Sequence, residues 1–244
     1  MTAGSTPTAA AEGMPPSRTD WITNEIRNAI LHGDFAPGEQ LRSSKIGERW
    51  SISQTPIREA FQRLAAEGLV VHSSQRGVRV APLSMQDMRE VYELRLLLEP
   101  MALRRSLERA DQPWEVQVRR AFSDLLAWYS LGAGDLSGYE SPHRRFHAAL
   151  ASRCDSQWLL RLVDMLAQQS ARYRTLSWEP RGGSPGTARE HEELFGACMR
   201  RDIDEAVRLA TLHIRTTFDA VEGQLNAPDA TAPRAPRRKA HTAG

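Results

Sequence analysis

The chain has 244 residues, 41% of them hydrophobic, and its 32 basic side chains are nearly balanced by 30 acidic ones, leaving a net charge of +2. That length supports two compact domains with ordinary cores, and so small a net charge does not by itself indicate nucleic acid. The two cysteines, Cys154 and Cys198, are too few and too far apart for a disulfide framework or a cysteine metal site, and no apolar run approaches the roughly 18 residues of a membrane span, so the expected setting is a reducing cytoplasm without membrane contact.

In chain order, residues 1–18 are rich in Ala, Thr, Gly, Ser and Pro and are expected to form a disordered leader lacking the basic and apolar regions of a secretory signal. A first helical pattern runs from Ile22 to Leu31. Ser43 to Trp50 has room for a helix of about two turns, and Ser51-Ile52 supplies a short connection. The next helix should start near Ser53 to Pro56, with capping hydroxyls on Ser53 and Thr55, Pro56 in the first turn and Glu59 favouring the positive end of the helix dipole. Ile57, Ala60, Phe61, Leu64 and Ala65 form its buried stripe; Gln54, Thr55, Arg58, Gln62 and Arg63 face outward. Gly68 ends it. Leu69-Val70-Val71 and Val78-Arg79-Val80 then flank a turn-rich tip at Ser73 to Gly77, which reads as a β-hairpin. Between Leu41 and Val80 there are about seven Lys/Arg against about three Asp/Glu, so positive charge collects where these elements lie.

After Ala81-Pro82-Leu83, Ser84 to Asp87 reads as a capping box, and a helical pattern runs from Met88 to about Arg109, with Pro100 expected to kink or break it. Further helices are expected at about 113–131, 139–153, 156–177, 187–200 and 202–225. Pro142, after Ser141, is expected to start a fresh helix with Ser141 as its cap. No strand pattern occurs in this half. Residues 226–244 form an expected disordered tail carrying Arg234, Arg237, Arg238 and Lys239, either solubilising or adding loose DNA affinity. The fold class is therefore mainly α: a winged helix-turn-helix domain at 19–82 and an all-helical bundle at 84–225.

Four histidines stand out in the bundle. His143 and His147, at i and i+4, lie about 40° apart around one helix and project from one face; His191 and His213 belong to two other helices. Imidazoles converging from several helices could hold a borderline divalent metal, or could simply be core or surface residues.

Gly33-x-x-x-Pro37-Gly38-x-x-Leu41, followed by Ser53-x-Thr55-Pro56-x-Arg58-Glu59-Ala60 and the hairpin, resembles the GntR family of bacterial winged helix-turn-helix repressors. The resemblance implies that Ser53, Gln54, Thr55 and Arg58 meet the major groove and its phosphates, that Arg42 and Lys45 lie near the DNA backbone, and that Arg76 and Gly77 sit at the wing tip over the minor groove. Most members carry arginine where this chain has Gln54; glutamine pairs well with adenine edges, so an altered operator is expected.

The stretch from Asp87 to about Val221 resembles the FCD ligand-binding domain of the FadR subfamily. The resemblance rests on Tyr92-Glu93-Leu94-Arg95 with Leu98-Glu99, Phe146-His147, Glu190-His191, and Asp202 with Ala206 leading to His213. In metal-binding members an acidic residue four before the Phe-His histidine joins three histidines around a divalent ion, often zinc or nickel. Here His147, His191 and His213 match those three, and His143 replaces the acidic residue. Arg95 resembles an arginine that contacts the effector carboxylate, and an ion pair with Glu99 at i+4 is its other role.

The implied function is a homodimeric repressor that reads a palindromic operator of double-stranded DNA and responds to a small organic acid. The alternatives are a constitutive DNA-binding dimer with structural histidines and, remotely, a metal-dependent hydrolase. Against catalysis, Arg144 follows His143 where a hydrolase helix needs glutamate, and no Gly-x-Ser-x-Gly elbow, P-loop or dinucleotide fingerprint occurs.

Overall fold

The computed structural model describes residues 17–73, 77–130, 136–177 and 185–226. The expected leader and tail, and most of the wing tip, lie outside them. The first element, α1 (Arg18–Leu31), opens with a capping box in which Ser17 and Asp20 exchange side-chain to backbone bonds. Ile22, Ile26 and Ile30, one turn apart, are buried against Ile57, Ala60, Phe61 and Leu64 of α3 (Gln54–Ala66). Each such side chain removed from water contributes roughly 1.5–3 kcal/mol. Arg27 of α1 forks onto both Glu67 oxygens at 2.6 and 2.8 Å, tying the start of the chain to the end of α3.

Helix α2 (Ser43–Trp50) reaches α3 through Ser51, whose φ of 52° is left-handed. Gly47 makes that turn possible, because a Cβ there would lie 2.9 Å from the Ile52 carbonyl oxygen. At the far end of α3, Gly68 at φ 72° lets the Gly68 and Leu69 amides return to Ala65 and Leu64. The wing, β2 (Val70–Ser73) and β3 (Gly77–Val80), forms as expected, and a third strand joins it: β1 (Gln40–Leu41) pairs antiparallel with β3, giving the order β1-β3-β2. Two residues carry too little alternation to announce a strand. Glu59 also departs from expectation: it lies beyond the first turn of α3 and accepts a 2.8 Å bond from the Thr19 hydroxyl, where the dipole contributes little.

The remaining described elements are helices: α4 (Met85–Glu108), α5 (Gln112–Ser130), α6 (Leu136–Ala151), α7 (Gln157–Ser177), α8 (Pro185–Met199) and α9 (Ile203–Leu225). Their largest core gathers Trp114, Phe122, Tyr139, Phe146 and Leu194; a second joins Met88, Tyr92, Tyr173, Ile214 and Val221. The box expected at Ser84 forms only by half. Ser84 accepts from the Asp87 amide at 2.9 Å, but the Asp87 carboxylate accepts from the Tyr173 hydroxyl instead.

Neither internal proline breaks its helix. Pro100 lies inside α4, and α6 runs through Pro142, so Ser141 caps nothing; its hydroxyl accepts from Arg145 at 2.7 Å. An interior proline costs about 3 kcal/mol, which burial of Ala102, Leu103 and Leu107 on α4, and of Tyr139, Phe146 and Leu150 on α6, offsets.

Helix α7 also meets the N-terminal elements. Ala171 packs into their core, Arg172 donates to the carbonyls of Ala81 at 2.8 Å and Pro82 at 3.0 Å, and Gln169 donates to that of Glu67.

Two glycines provide a stability test. Gly47→Ala should destabilise the chain by about 1–3 kcal/mol, since the Cβ meets backbone that cannot swing away. Gly223→Ala, inside α9 with nothing within 4 Å of the new Cβ, should stabilise it by about 0.5–1 kcal/mol. Urea unfolding of the two variants beside the parent gives both signs.

Candidate functional site

Two regions take up the residues singled out in the sequence. In the first, Ser53, Gln54, Thr55 and Arg58 are exposed at the start of α3, and Arg42 and Lys45 are exposed at the start of α2. Ser53 holds the N-cap position, yet its hydroxyl makes no capping bond. Arg49 and Arg63, on the same two helices, are paired with Asp34 and Asp20. Arg42, Lys45 and Arg58 form no ion pair among the described residues, which leaves three cations for phosphates or base edges. Gly77 is exposed at the start of β3 with φ 74°, and Arg76 lies outside the described residues. Arg79 is half-buried and donates to the Gly38 carbonyl at 2.8 Å.

In the second, inside the bundle, His143 and His147 of α6, His191 of α8 and His213 of α9 converge, with one nitrogen of each lying within 4.8 Å of the others. Because α6 is unbroken, His143 stays one turn from His147, their ring centroids 4.5 Å apart. The outer nitrogens of two rings are held: His191 Nδ1 lies 2.7 Å from the Thr187 carbonyl and His213 Nδ1 lies 2.7 Å from Glu190 Oε2. Those acceptors place the protons on Nδ1, so both Nε2 lone pairs face inward. His191 Nε2 is 3.2 Å from His147 Nε2, and His143 Nδ1 is buried without a partner. The donor set therefore fits a borderline divalent ion: at least two nitrogens present lone pairs to a common point, and an orphaned third adjoins them.

Burial pushes the His143, His147 and His191 imidazoles well below the ordinary histidine range, and neighbouring histidines add to the effect. Around them stand two charged pairs. Arg174 forks onto Glu140 at 2.7 and 3.0 Å, and the buried Arg95 holds Glu99 through Nε at 2.5 Å. Arg95 thus makes the ion pair foreseen for it, lies over the Tyr92 ring at 5.0 Å and is also among the residues lining the space beside the histidines, its Nη1 buried without a hydrogen-bond partner. His143, His147 and Arg95 border a cavity of about 310 Å³ lined by α4, α6 and α7 together with Leu194 of α8 and Ala210 of α9.

Sequence reading missed Glu140, Arg174, Thr187 and the role of Glu190. Glu190 is adjacent to His191 but serves His213, 23 positions away, so no local spacing announces it. Arg174 could have been suspected from its place one turn after Ser170 on a buried face, where a charged side chain needs a partner. Burial pushes the Cys198 thiol up to about 12, and both cysteines are free and buried, which removes them as nucleophiles or ligands.

The depressed histidines make stability pH-dependent. The unfolded chain takes up protons below about 6.5 that the folded chain refuses, so their contribution is complete above that value and is lost as pH falls. For chelator-treated protein the urea midpoint should drop between pH 7 and pH 5; a flat profile would contradict the neutral buried cluster.

The family description "Bacterial regulatory proteins, gntR family" matches residues 19–80, and "FCD domain" matches residues 90–216. The chain is 32% identical over 200 residues to the uncharacterized HTH-type transcriptional regulator BphR of Paraburkholderia xenovorans, covering 80% of this chain and 82% of that one. It is 30% identical over 204 residues to the HTH-type transcriptional repressor GlaR of Escherichia coli, covering 81% and 92%. Escherichia coli McbR/YncC superposes with a TM-score of 0.76 over 87% of this chain and 100% of its own at 18% identity, a likeness of fold alone. Among the described residues no helix is long and apolar enough to cross a membrane. The chain belongs to the GntR family of bacterial regulatory proteins and carries an FCD domain, which makes it a DNA-binding transcriptional regulator and not an enzyme.

Proposed function

We propose that this regulator is a repressor of the FadR subfamily whose operator affinity is set by a small organic acid bound beside the four histidines. The observation that carries this is the four-histidine cluster, two of whose members, His143 and His147, border with Arg95 a cavity in a chain built to bind DNA. His143, His147, His191 and His213 would hold a divalent ion, zinc or nickel suiting four nitrogens better than magnesium or calcium. Bound there, the ion supplies a Lewis-acid centre for a carboxylate oxygen. The chain's own charges explain why that matters: Arg95 with Glu99 and Arg174 with Glu140 largely cancel, leaving little net attraction for an anion.

Helix α7 offers a route from the pocket to the DNA. Arg174 borders the cavity, while Arg172 and Gln169 grip carbonyls at both ends of the wing. An effector that binds one setting of α7 better than another shifts operator affinity by that difference and no more. A homodimer would present two recognition helices to a palindromic operator. Exposed apolar rows on two packed helices support a partner copy: Leu94, Leu97 and Met101 on α4, and Trp158, Leu162 and Met165 on α7.

Metal analysis of untagged protein should find about one zinc or nickel per chain, lost in His147→Ala while operator affinity is kept; stoichiometric metal in the variant would remove His147 from the site. Arg58→Ala should weaken operator binding by more than about 1 kcal/mol, measured by titration of labelled duplex at fixed salt. Unchanged affinity would take Arg58 out of the interface.

A further inference from the structure

The lining of the cavity says what kind of acid it takes. One end is nitrogen-rich: His143, His147 and Arg95, which is paired with Glu99 and only 4% exposed. Most of the remaining wall is hydrocarbon, chiefly Leu103, Leu150, Ala151, Leu160, Val163 and Leu194, and Arg174, also at the wall, is paired with Glu140. Apart from the two histidines, Ser152 is the one uncharged side chain with a hydrogen-bonding group among the described residues that line it, and its hydroxyl is already turned to the Ala149 carbonyl at 2.8 Å. Arg144 and Asp164, also at the wall, face one another at 3.4 Å with half of each side chain in solvent, so neither offers an uncompensated charge.

From this polarity we infer that the effector is a monocarboxylate with a hydrocarbon body, aromatic or short branched aliphatic, and not a sugar acid or a di- or tricarboxylate. This rests on the effector site proposed above and narrows it. The carboxylate lies at the histidine and Arg95 end, and the body fills the leucine and valine wall. A polyhydroxylated chain would leave each hydroxyl facing hydrocarbon without a partner, which binding sites penalise heavily. A second carboxylate would meet only Arg174 and Arg144 besides, and their charges are already taken by Glu140 and Asp164. At about 310 Å³ the space lies at the small end of ligand pockets, roughly 300–1,000 Å³, which suits one ring or a short chain better than a long acyl tail.

The test is thermal unfolding of the full-length, zinc-loaded protein with benzoate, phenylacetate, 4-methylpentanoate, gluconate and citrate at equal concentration. Free zinc is removed beforehand so that chelation by citrate is controlled. The apolar acids should raise the melting temperature, with affinity at least tenfold above that of gluconate or citrate. Val163→Asp, which sets a charge in the half-buried wall, should lower affinity for phenylacetate at least tenfold, and Arg95→Gln should weaken every acid that binds. Circular dichroism of both variants checks that they fold, and Val163→Asn serves if Val163→Asp does not. Preference for gluconate or citrate would overturn the assignment of class while leaving an acid-responsive site. Failure of all five acids to bind protein that still holds zinc and binds DNA would overturn both the class and the effector site.

Discussion

Much of this structure depends on two guanidiniums buried two residues apart on α7. Positions i and i+2 of a helix point about 200° apart, so Arg172 and Arg174 leave opposite sides of it. A desolvated cation must be surrounded by acceptors or its burial is prohibitive. Arg172 finds them in the carbonyls of Ala81 and Pro82, where the chain leaves the wing, and Arg174 finds them in the Glu140 carboxylate on α6. One helix is thereby held to the DNA-binding elements on one side and to the helix bearing His143 and His147 on the other.

That arrangement sets the electrostatics of the interior. Glu140 offsets the desolvation of Arg174, and Glu99 compensates part of Arg95, so the space beside the histidines holds strong local charges of small sum. Burial favours the neutral form of the His143, His147 and His191 imidazoles, and neutral imidazole is the form with a lone pair to give. Where the family resemblance calls for an acidic ligand, His143 adds a nitrogen and no negative charge. The site is less negative for it, and the far wall of the adjoining cavity is largely apolar.

Local patterns carried a large part of the fold. The turn at Gly33 to Leu41, the recognition helix and the hairpin depend on neighbours in sequence: positive-φ glycines at 33, 38 and 68, and an apolar stripe at helical spacing on α3. The helix boundaries in the bundle followed for the same reason. Propensity misled at the prolines, because an isolated Pro142 should start a helix, and packing of Tyr139, Phe146 and Leu150 overrides it. It misled also at Asp87, whose carboxylate answers a hydroxyl 86 residues away in place of its own helix cap.

The sequence by itself determined the helix-turn-helix with its exposed Gln54, Thr55 and Arg58, and the candidate histidines, because these are set by residue type and short spacing. Tertiary structure decided that His143, His147, His191 and His213 share one point, that Glu190 serves a histidine on another helix, that Arg174 is paired with Glu140, and that a hydrocarbon-walled cavity opens beside them. These depend on contacts between residues far apart in the chain, where burial and charge compensation are properties of the packed assembly of helices and leave no local period to read.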